Sequence, residues 1–410
     1  MERVVITGMG VVTPLGNDVN TFWNALIHGT SGISVVDTFD VTRSKSKIGG
    51  VVRDFDAELM FGRDVRRMDR FSQFALAASH QALKDADVDI AAENPETIGV
   101  YIGSGIGGIQ TLLANHEILL QRGPNRVNPT MIPMMIPNMA AAQVSIHYGI
   151  KGPCLTPVAA CATGNIAIGE AFRLLQYGKA DIVLAGGTEA VMTELTYAGF
   201  GNSTALSTRN DEPKRASRPF DVDRDGFVAS EGAGILLLET LSHATRRQAR
   251  IYAEVIGYGS SSDAFHMVAT EPDGAGAAQA MKAAIDDARI DIRDVNYINA
   301  HATSTHVGDL SETRAIKRLF GTHAYNLAVS ANKSMVGHTL GAAGGVEAVA
   351  LAKTLQENVI PPTINLDTPD AECDLDYVPF EARFADINIG LSNAFGFGGH
   401  NAVLVFRKMS

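Results

Sequence analysis

A chain of 410 residues is long enough for two domains or one large duplicated body. Its formal net charge of −11 argues against general nucleic-acid binding, and no run of about 18 apolar residues offers a membrane span. Forty glycines and 46% hydrophobic content fit a tightly packed α/β protein, while only 19% charged residues point to a substantial buried subunit interface. The three cysteines (Cys154, Cys161, Cys373) make no disulfide framework and fit a reducing cytosol. The N-terminus enters an apolar stretch at once, without the basic and apolar regions of a signal peptide.

In chain order, Val4–Pro14 reads as a buried strand leaving through a Gly/Pro turn, and Asn20–His28 as a short helix. Asp69–Asp85 is helical and alanine-rich. Ile98–Gly108 is a second strand running into a glycine-rich loop. Pro157–Gln176 reads as a buried strand, a tight turn carrying Cys161, and a buried helix starting at or just after it. Ala180–Gly187 and Gly234–Glu239 are further core strands. Beyond about residue 250 the plan restarts. Ala253–Gly259, Val295–Ala300 and Leu327–Ser330 are strands, Gly274–Ala288 and Gly341–Leu355 are helices, and Ile389–Asn393 with Asn401–Phe406 form a hairpin-like pair. This alternation predicts a mostly parallel sheet covered on both faces. It also predicts two similar halves, 1–250 and 251–410, in one body without a low-complexity linker.

Three small-residue segments hold the reactive side chains. At a helix start, unpaired backbone N–H groups and a partial positive charge favour a thiolate, so Cys161 reads either as a nucleophile or as a small buried hydrophobe. His301, in Asn299–His306, sits where a strand ends, the edge at which parallel sheets bind ligands. It reads as a catalytic group or a polar loop residue. His301 and His306 are five apart, which suits neither a helical nor a strand face for a shared metal. In Asn332–Glu347, Lys333 and Glu347 lie in an otherwise small and apolar stretch and read in part as a structural ion pair, while His338 precedes a buried helix. One thiol with one histidine would suit a cysteine hydrolase. Two histidines donating to one oxygen would stabilise an enolate, which suits carbon–carbon bond formation.

These motifs, with Ser217–Asp221, Arg224–Phe227, Pro361–Leu366 and Asn393–Asn401, closely resemble the β-ketoacyl-acyl carrier protein synthases of the elongating type II kind, over essentially the whole chain. The resemblance implies a thiolase-like fold, five-layered α/β/α/β/α with duplicated halves, in a cytoplasmic homodimer. It implies decarboxylative condensation of an acyl group on Cys161 with malonyl-acyl carrier protein, His301 and His338 binding the malonyl carbonyl and Lys333 supporting His338. The N–H groups of Cys161 and Phe397 would form the oxyanion hole, and Phe397 would gate the thiol. Thr303 and Thr305 would hold the pantetheine arm, and Ile106 would line the acyl pocket, with Phe227 in the substrate-binding set. Ser260–Gly274 would be a mobile cover. No cofactor is required, since phosphopantetheine arrives on the carrier; a monovalent cation near Asn299, Glu347 and Asn393 is a weaker implication. A polyketide ketosynthase, a thioester hydrolase, a thiolase and a non-catalytic chain-length subunit are the competing readings; the last lacks the nucleophile that Cys161 supplies here. The chain departs from the family pattern at Ala162, Ala302, His306 and Asn332, where Thr, Gly, Pro and Thr are common.

Arg63, Arg66, Arg67 and Arg70 follow a helical i, i+3, i+4, i+7 spacing and would share one face of a helix. Such a face suits an acidic carrier protein, with Arg126 a weaker addition; otherwise it is a solvated face partly paired with Asp64 and Asp69.

Overall fold

The computed structural model describes residues 1–409. Its ten principal strands are β1 (Val4–Val12), β2 (Ile98–Gly103), β3 (Cys154–Leu155), β4 (Ile182–Glu189), β5 (Gly232–Thr240), β6 (Ala253–Ser262), β7 (Tyr297–Asn299), β8 (Ala328–Ser330), β9 (Ile389–Gly396) and β10 (His400–Lys408). They hydrogen-bond in the order β3-β2-β4-β5-β1-β6-β10-β9-β7-β8. The first five and the last five strands repeat one internal order, and the two sets join where Val4–Ile6 of β1 meets Ala253–Val255 of β6. The sheet is mixed rather than mostly parallel. β2 runs parallel to β3 and β4, and β7 runs parallel to β8 and β9, but β1, β5, β6 and β10 are antiparallel to their neighbours. Alternating strands and helices misled here because β9 and β10 form a hairpin, and the long connection from β4 to β5, which includes the helix Glu194–Asn202, returns the chain antiparallel to β4 instead of as a parallel crossover.

Helices α1 (Arg70–Ala86) and α3 (Ala275–Ala288) cover the outer faces, with α4 (His306–Phe320) beside α3. Helices α2 (Thr163–Gln176) and α5 (Ala343–Glu357) lie between the two strand sets, completing five layers. Burial follows from this. The whole of β1, β2, β4 and β5 is buried, as are most residues of α5, because both faces of each are covered. α2 and α5 touch backbone to backbone. A Cβ on Gly164 would stand 2.5 Å from the Gly345 nitrogen, and one on Gly344 would stand 2.5 Å from the Asn165 nitrogen. Only glycine allows this approach, and it brings the turns before the two helices together.

The strand before Cys161 differs from expectation. β3 has two exposed residues at the sheet edge, and Thr156–Ala159 form no strand. Of the apolar residues there, Val158 is exposed and Ala159 is buried beside the turn.

Candidate active site

Cys161 sits in a single 3-10 turn, Ala160–Ala162, that runs directly into α2. The corresponding turn before α5 is Leu340–Ala342, just after His338. Ala160 (φ +48°) and Leu340 (φ +51°) both occupy the left-handed region, a strained position for residues with a Cβ. The strain turns the chain sharply and aims Cys161 at the His338 turn. His301 follows β7, in a loop where Ala302 has φ +24° and Ser304 has φ +68°. Ala302 therefore holds a backbone shape that glycine adopts more readily.

The sulfur of Cys161 and ring nitrogens of His301 and His338 all lie within 4.8 Å of one another, and all three residues are buried. His338 Nε2 is 3.0 Å from Cys161 Sγ. The two imidazoles meet edge to face at 5.3 Å, and Phe227 packs against His338 at 5.4 Å. Spacing alone would admit a soft metal ion, but the hydrogen bonding does not favour one. The Leu340 N–H donates to Nδ1 of His338 over 3.3 Å, which assigns the ring proton to Nε2. A metal-ligating imidazole carries its proton on the opposite nitrogen and donates it outward. His338 is thus set up as a donor into the site.

Burial, aided by the positive charge of Lys333, holds both histidines well below the ordinary imidazole range, so their rings are neutral. Burial also pushes the Cys161 thiol up to about 12; Lys333 and the N–H groups of Phe397 and Cys161 pull the other way. The helix start is therefore outweighed by desolvation in the free protein, contrary to the expectation of a thiolate activated mainly by that start. Lys333 is paired with Glu347, both buried. The backbone N–H groups of Phe397 and Cys161 stand near enough to the sulfur to lower its pKa.

A cavity of about 640 Å³ reaches these residues. Ile106, Phe227, Thr303, Thr305 and Phe397 all line it. Thr303 and Thr305 hydroxyls lie 3.1 Å apart, and Thr305 also caps α4 by accepting the Gly308 N–H. Ser260–Ser262, the start of the expected cover, belong to β6, and Asp263, Val268, Ala269 and Thr270 line the cavity.

Two buried carboxylates escaped the sequence reading. Glu312 on α4 accepts the N–H groups of His301 and Ala302 at 2.9 and 2.7 Å, and the Asn393 amide at 2.9 Å. It fixes the loop that carries His301. Glu189, the last residue of β4, accepts from Ser104, Gly105, Ile106 and Gly341. It ties the loop of Ile106 to the turn after His338. The only sequence signal was an acidic residue ending an apolar strand or sitting on the inner face of a helix.

The cation set passes a chemical test. Asn299 Oδ1, Asn393 Oδ1 and Glu347 Oε2 are buried and without a hydrogen-bond partner among the described residues. Asn299 donates to the Glu347 carbonyl at 3.2 Å and lies opposite Ser392, next to Asn393. Three buried, unpartnered hard oxygens are the donor type an alkali cation takes.

The arginine face is not one helix. Arg63–Arg67 form a 3-10 turn, the chain extends at Met68, and a new helix begins at Arg70 with Asp69 as its cap. Arg63, Arg66, Arg67 and Arg126 are exposed, and Arg66 pairs with Glu58. Arg70 instead turns inward. It pairs with buried Glu231 at 3.1 Å, bonds the Val52 carbonyl and lies over Phe74, because the helix break rotates it away from the others. Asp69 is buried against Thr111 and does not pair with the arginines.

Comparison with known proteins adds an independent line. Residues 1–244 match the model of the β-ketoacyl synthase N-terminal domain, and residues 252–367 match the C-terminal domain. The 3-oxoacyl-[acyl-carrier-protein] synthase 2 of Synechocystis sp. is 52% identical over 408 residues, 99% of this chain and 98% of the relative. The protein of that name from Staphylococcus aureus is 51% identical over 408 residues, with the same coverage. Among solved structures, a β-ketoacyl synthase from Burkholderia phymatum is similar with a TM-score of 0.93 at 37% identity, both chains covered completely. A type II polyketide synthase acyl-carrier protein in complex with its ketosynthase is similar with a TM-score of 0.92 at 36% identity, again with complete coverage of both chains.

Proposed function

The chain belongs to the β-ketoacyl synthase family, and on that basis we propose that it is a condensing acyltransferase that makes 3-oxoacyl-[acyl-carrier-protein] from an acyl-enzyme and malonyl-acyl carrier protein in fatty acid elongation. The observation that carries this reading is the meeting of Cys161, His301 and His338 at one point, with His338 held as a neutral Nε2 donor. A hydrolase needs one histidine as base; two neutral donors serve an enolate.

In the first half-reaction the Cys161 sulfur attacks the acyl thioester, and its proton leaves with the carrier thiol. The tetrahedral oxyanion is held by the N–H groups of Cys161 and Phe397, whose ring moves aside to admit the arm. The malonyl thioester then enters along Thr303 and Thr305. Its carboxylate leaves as carbon dioxide, the C–C bond electrons become the enolate, and the enolate oxygen takes hydrogen bonds from His301 and His338. The enolate carbon attacks the Cys161 thioester carbonyl, the new C–C bond forms, and the tetrahedral intermediate collapses with the sulfur leaving as a thiolate that takes a proton from water to restore the thiol. Neutral imidazoles suit this step, since they donate without surrendering a proton. Ile106 and Phe227 shape the acyl side of the cavity. Burial, with the charge of Lys333 adding to it, keeps the histidines neutral.

No redox or group-carrying cofactor is required, and phosphopantetheine arrives on the carrier protein. Asn299, Asn393 and Glu347 would hold a monovalent cation, which would offset the carboxylate charge beneath the histidines.

The carrier docks on Arg63, Arg66, Arg67 and Arg126, an exposed basic set on an acidic protein. The similar ketosynthase solved with an acyl-carrier protein supports that partner. A second copy of this chain pairs on the open β3 edge. Leu120 and Ile146, 73% and 70% exposed, and the low charged fraction support a homodimer. No helix among the described residues is long and apolar enough to cross a membrane. Three free cysteines support a cytoplasmic location.

The test is incubation with acyl- and malonyl-carrier proteins, with Cys161→Ala as control. The wild type forms 3-oxoacyl carrier protein and the variant forms no acyl-enzyme. Release of free fatty acid in place of 3-oxoacyl product would assign a hydrolase instead.

A further inference from the structure

His306 stands at the mouth of the same cavity, beside Thr303 and Thr305 and beyond the groups that do chemistry. Its backbone is rigidly placed. The fully buried guanidinium of Arg224 donates to the Thr305 carbonyl at 3.1 Å and to the His306 carbonyl at 2.8 Å. Arg224 is itself anchored by Asp370 at 2.9 Å and stands 3.7 Å from buried Asp309. The imidazole, by contrast, is exposed and makes no hydrogen bond among the described residues. A fixed backbone with a free polar ring on a cavity wall is a preorganised contact for whatever passes through that mouth.

The neighbouring hydroxyls have part of their capacity committed. Thr305 accepts the Gly308 N–H, and one of the two threonines donates to the other. The His306 ring adds hydrogen-bonding groups beside those the threonines keep free. An arm whose polar groups are amides and a hydroxyl needs both kinds of partner.

We propose that His306 is a further substrate-recognition residue, hydrogen-bonding the pantetheine arm of the incoming thioester alongside Thr303 and Thr305. This rests on the condensing reading given above. His306 contributes to binding both before and during reaction, so its loss raises KM and leaves kcat nearly unchanged.

The position allows a clean test. His306 is the first residue of α4, directly after its Thr305 cap, where a proline ring fits without breaking the helix. His306→Pro and His306→Ala therefore both remove the ring, the first with the helix start preserved. The substrates are malonyl-pantetheine and malonyl-acyl carrier protein, given to the full-length enzyme carrying an acyl group on Cys161. Both variants are expected to raise KM for malonyl-pantetheine about fivefold, the loss of one ordinary hydrogen bond, with kcat within about twofold. His306→Gln, which keeps a donor and an acceptor, is expected to restore most of the affinity. Unchanged KM in both variants would overturn the proposal. A rise confined to the carrier-borne substrate would also overturn it, assigning His306 to the protein partner instead. A wild-type enzyme that makes no 3-oxoacyl product from either malonyl thioester would count against the condensing reading itself, separately from His306.

Discussion

The backbone N–H of Leu340 donates to Nδ1 of His338, two residues away, and so leaves Nε2 as the protonated nitrogen facing Cys161. This contact gives the ring its direction as a donor. His338→Ala and His301→Ala should each reduce carbon dioxide release from malonyl-acyl carrier protein by about 10²- to 10³-fold, the usual cost of one oxyanion donor. Mass spectrometry should still find the acyl adduct on Cys161 in both. Disappearance of the adduct in both variants would contradict the assignment to the malonyl half-reaction.

Burial pushes the Cys161 thiol up to about 12. Its alkylation by iodoacetamide should therefore keep accelerating, about tenfold per pH unit, from pH 7 to pH 10. Peptide mapping distinguishes Cys161 from exposed Cys154. A rate that levels off below pH 9 would show a thiolate stabilised in the free enzyme. Lys333→Met removes a positive charge that favours the thiolate, so the rate should fall in that variant.

Lys333 and Glu347 are buried together, so removing one charge strands the other. Lys333→Met should cost about 3–5 kcal/mol of unfolding free energy in chemical denaturation. Lys333→Met with Glu347→Gln should recover most of that loss. A double variant as unstable as the single one would mean that the pair is not the source.

The neutral histidines carry a pH signature. In the folded chain burial keeps His338 unprotonated well below the ordinary pKa of 6.5, whereas the unfolded chain takes up its proton near that value. As pH falls below about 6.5 the unfolded state binds more protons, and stability drops. Glu347 and Asp309, both raised to about 7, act in the opposite sense between their unfolded values and pH 7. The comparison that isolates the ring is wild type against His338→Asn. The variant should lose stability less steeply between pH 6.5 and 5.5, by up to about 1.4 kcal/mol per pH unit. Parallel stability curves would place the charge-free state of His338 in doubt.

Arg63 and Arg70 should part company under mutation. Arg63→Glu with Arg67→Glu should raise KM for acyl carrier protein about tenfold or more at low salt, while a small pantetheine thioester is used normally. Arg70→Ala should instead lower stability by about 3 kcal/mol, because Glu231 is left buried without its partner. A carrier-specific KM effect from Arg70→Ala with full stability would restore it to the docking face.

The sequence by itself determined the elements and the reactive set. Most strands and helices were legible within a few residues, because covered strands read as apolar runs and α2 and α5 as small-residue stretches. Cys161, His301, His338 and Lys333 stood out because each is a reactive or charged side chain among mostly small residues. Tertiary structure decided the rest. Strand direction depends on which strands become neighbours, so the mixed sheet was invisible to local alternation. The inward turn of Arg70 depends on a helix break at Met68 and on a carboxylate 161 residues away. Glu189 and Glu312 matter through backbone N–H groups of distant loops, which no side-chain motif records. Above all, the donor state of His338 and the raised pKa of Cys161 come from burial and from one backbone contact, and these exist only once α2 and α5 have closed on each other through Gly164 and Gly344.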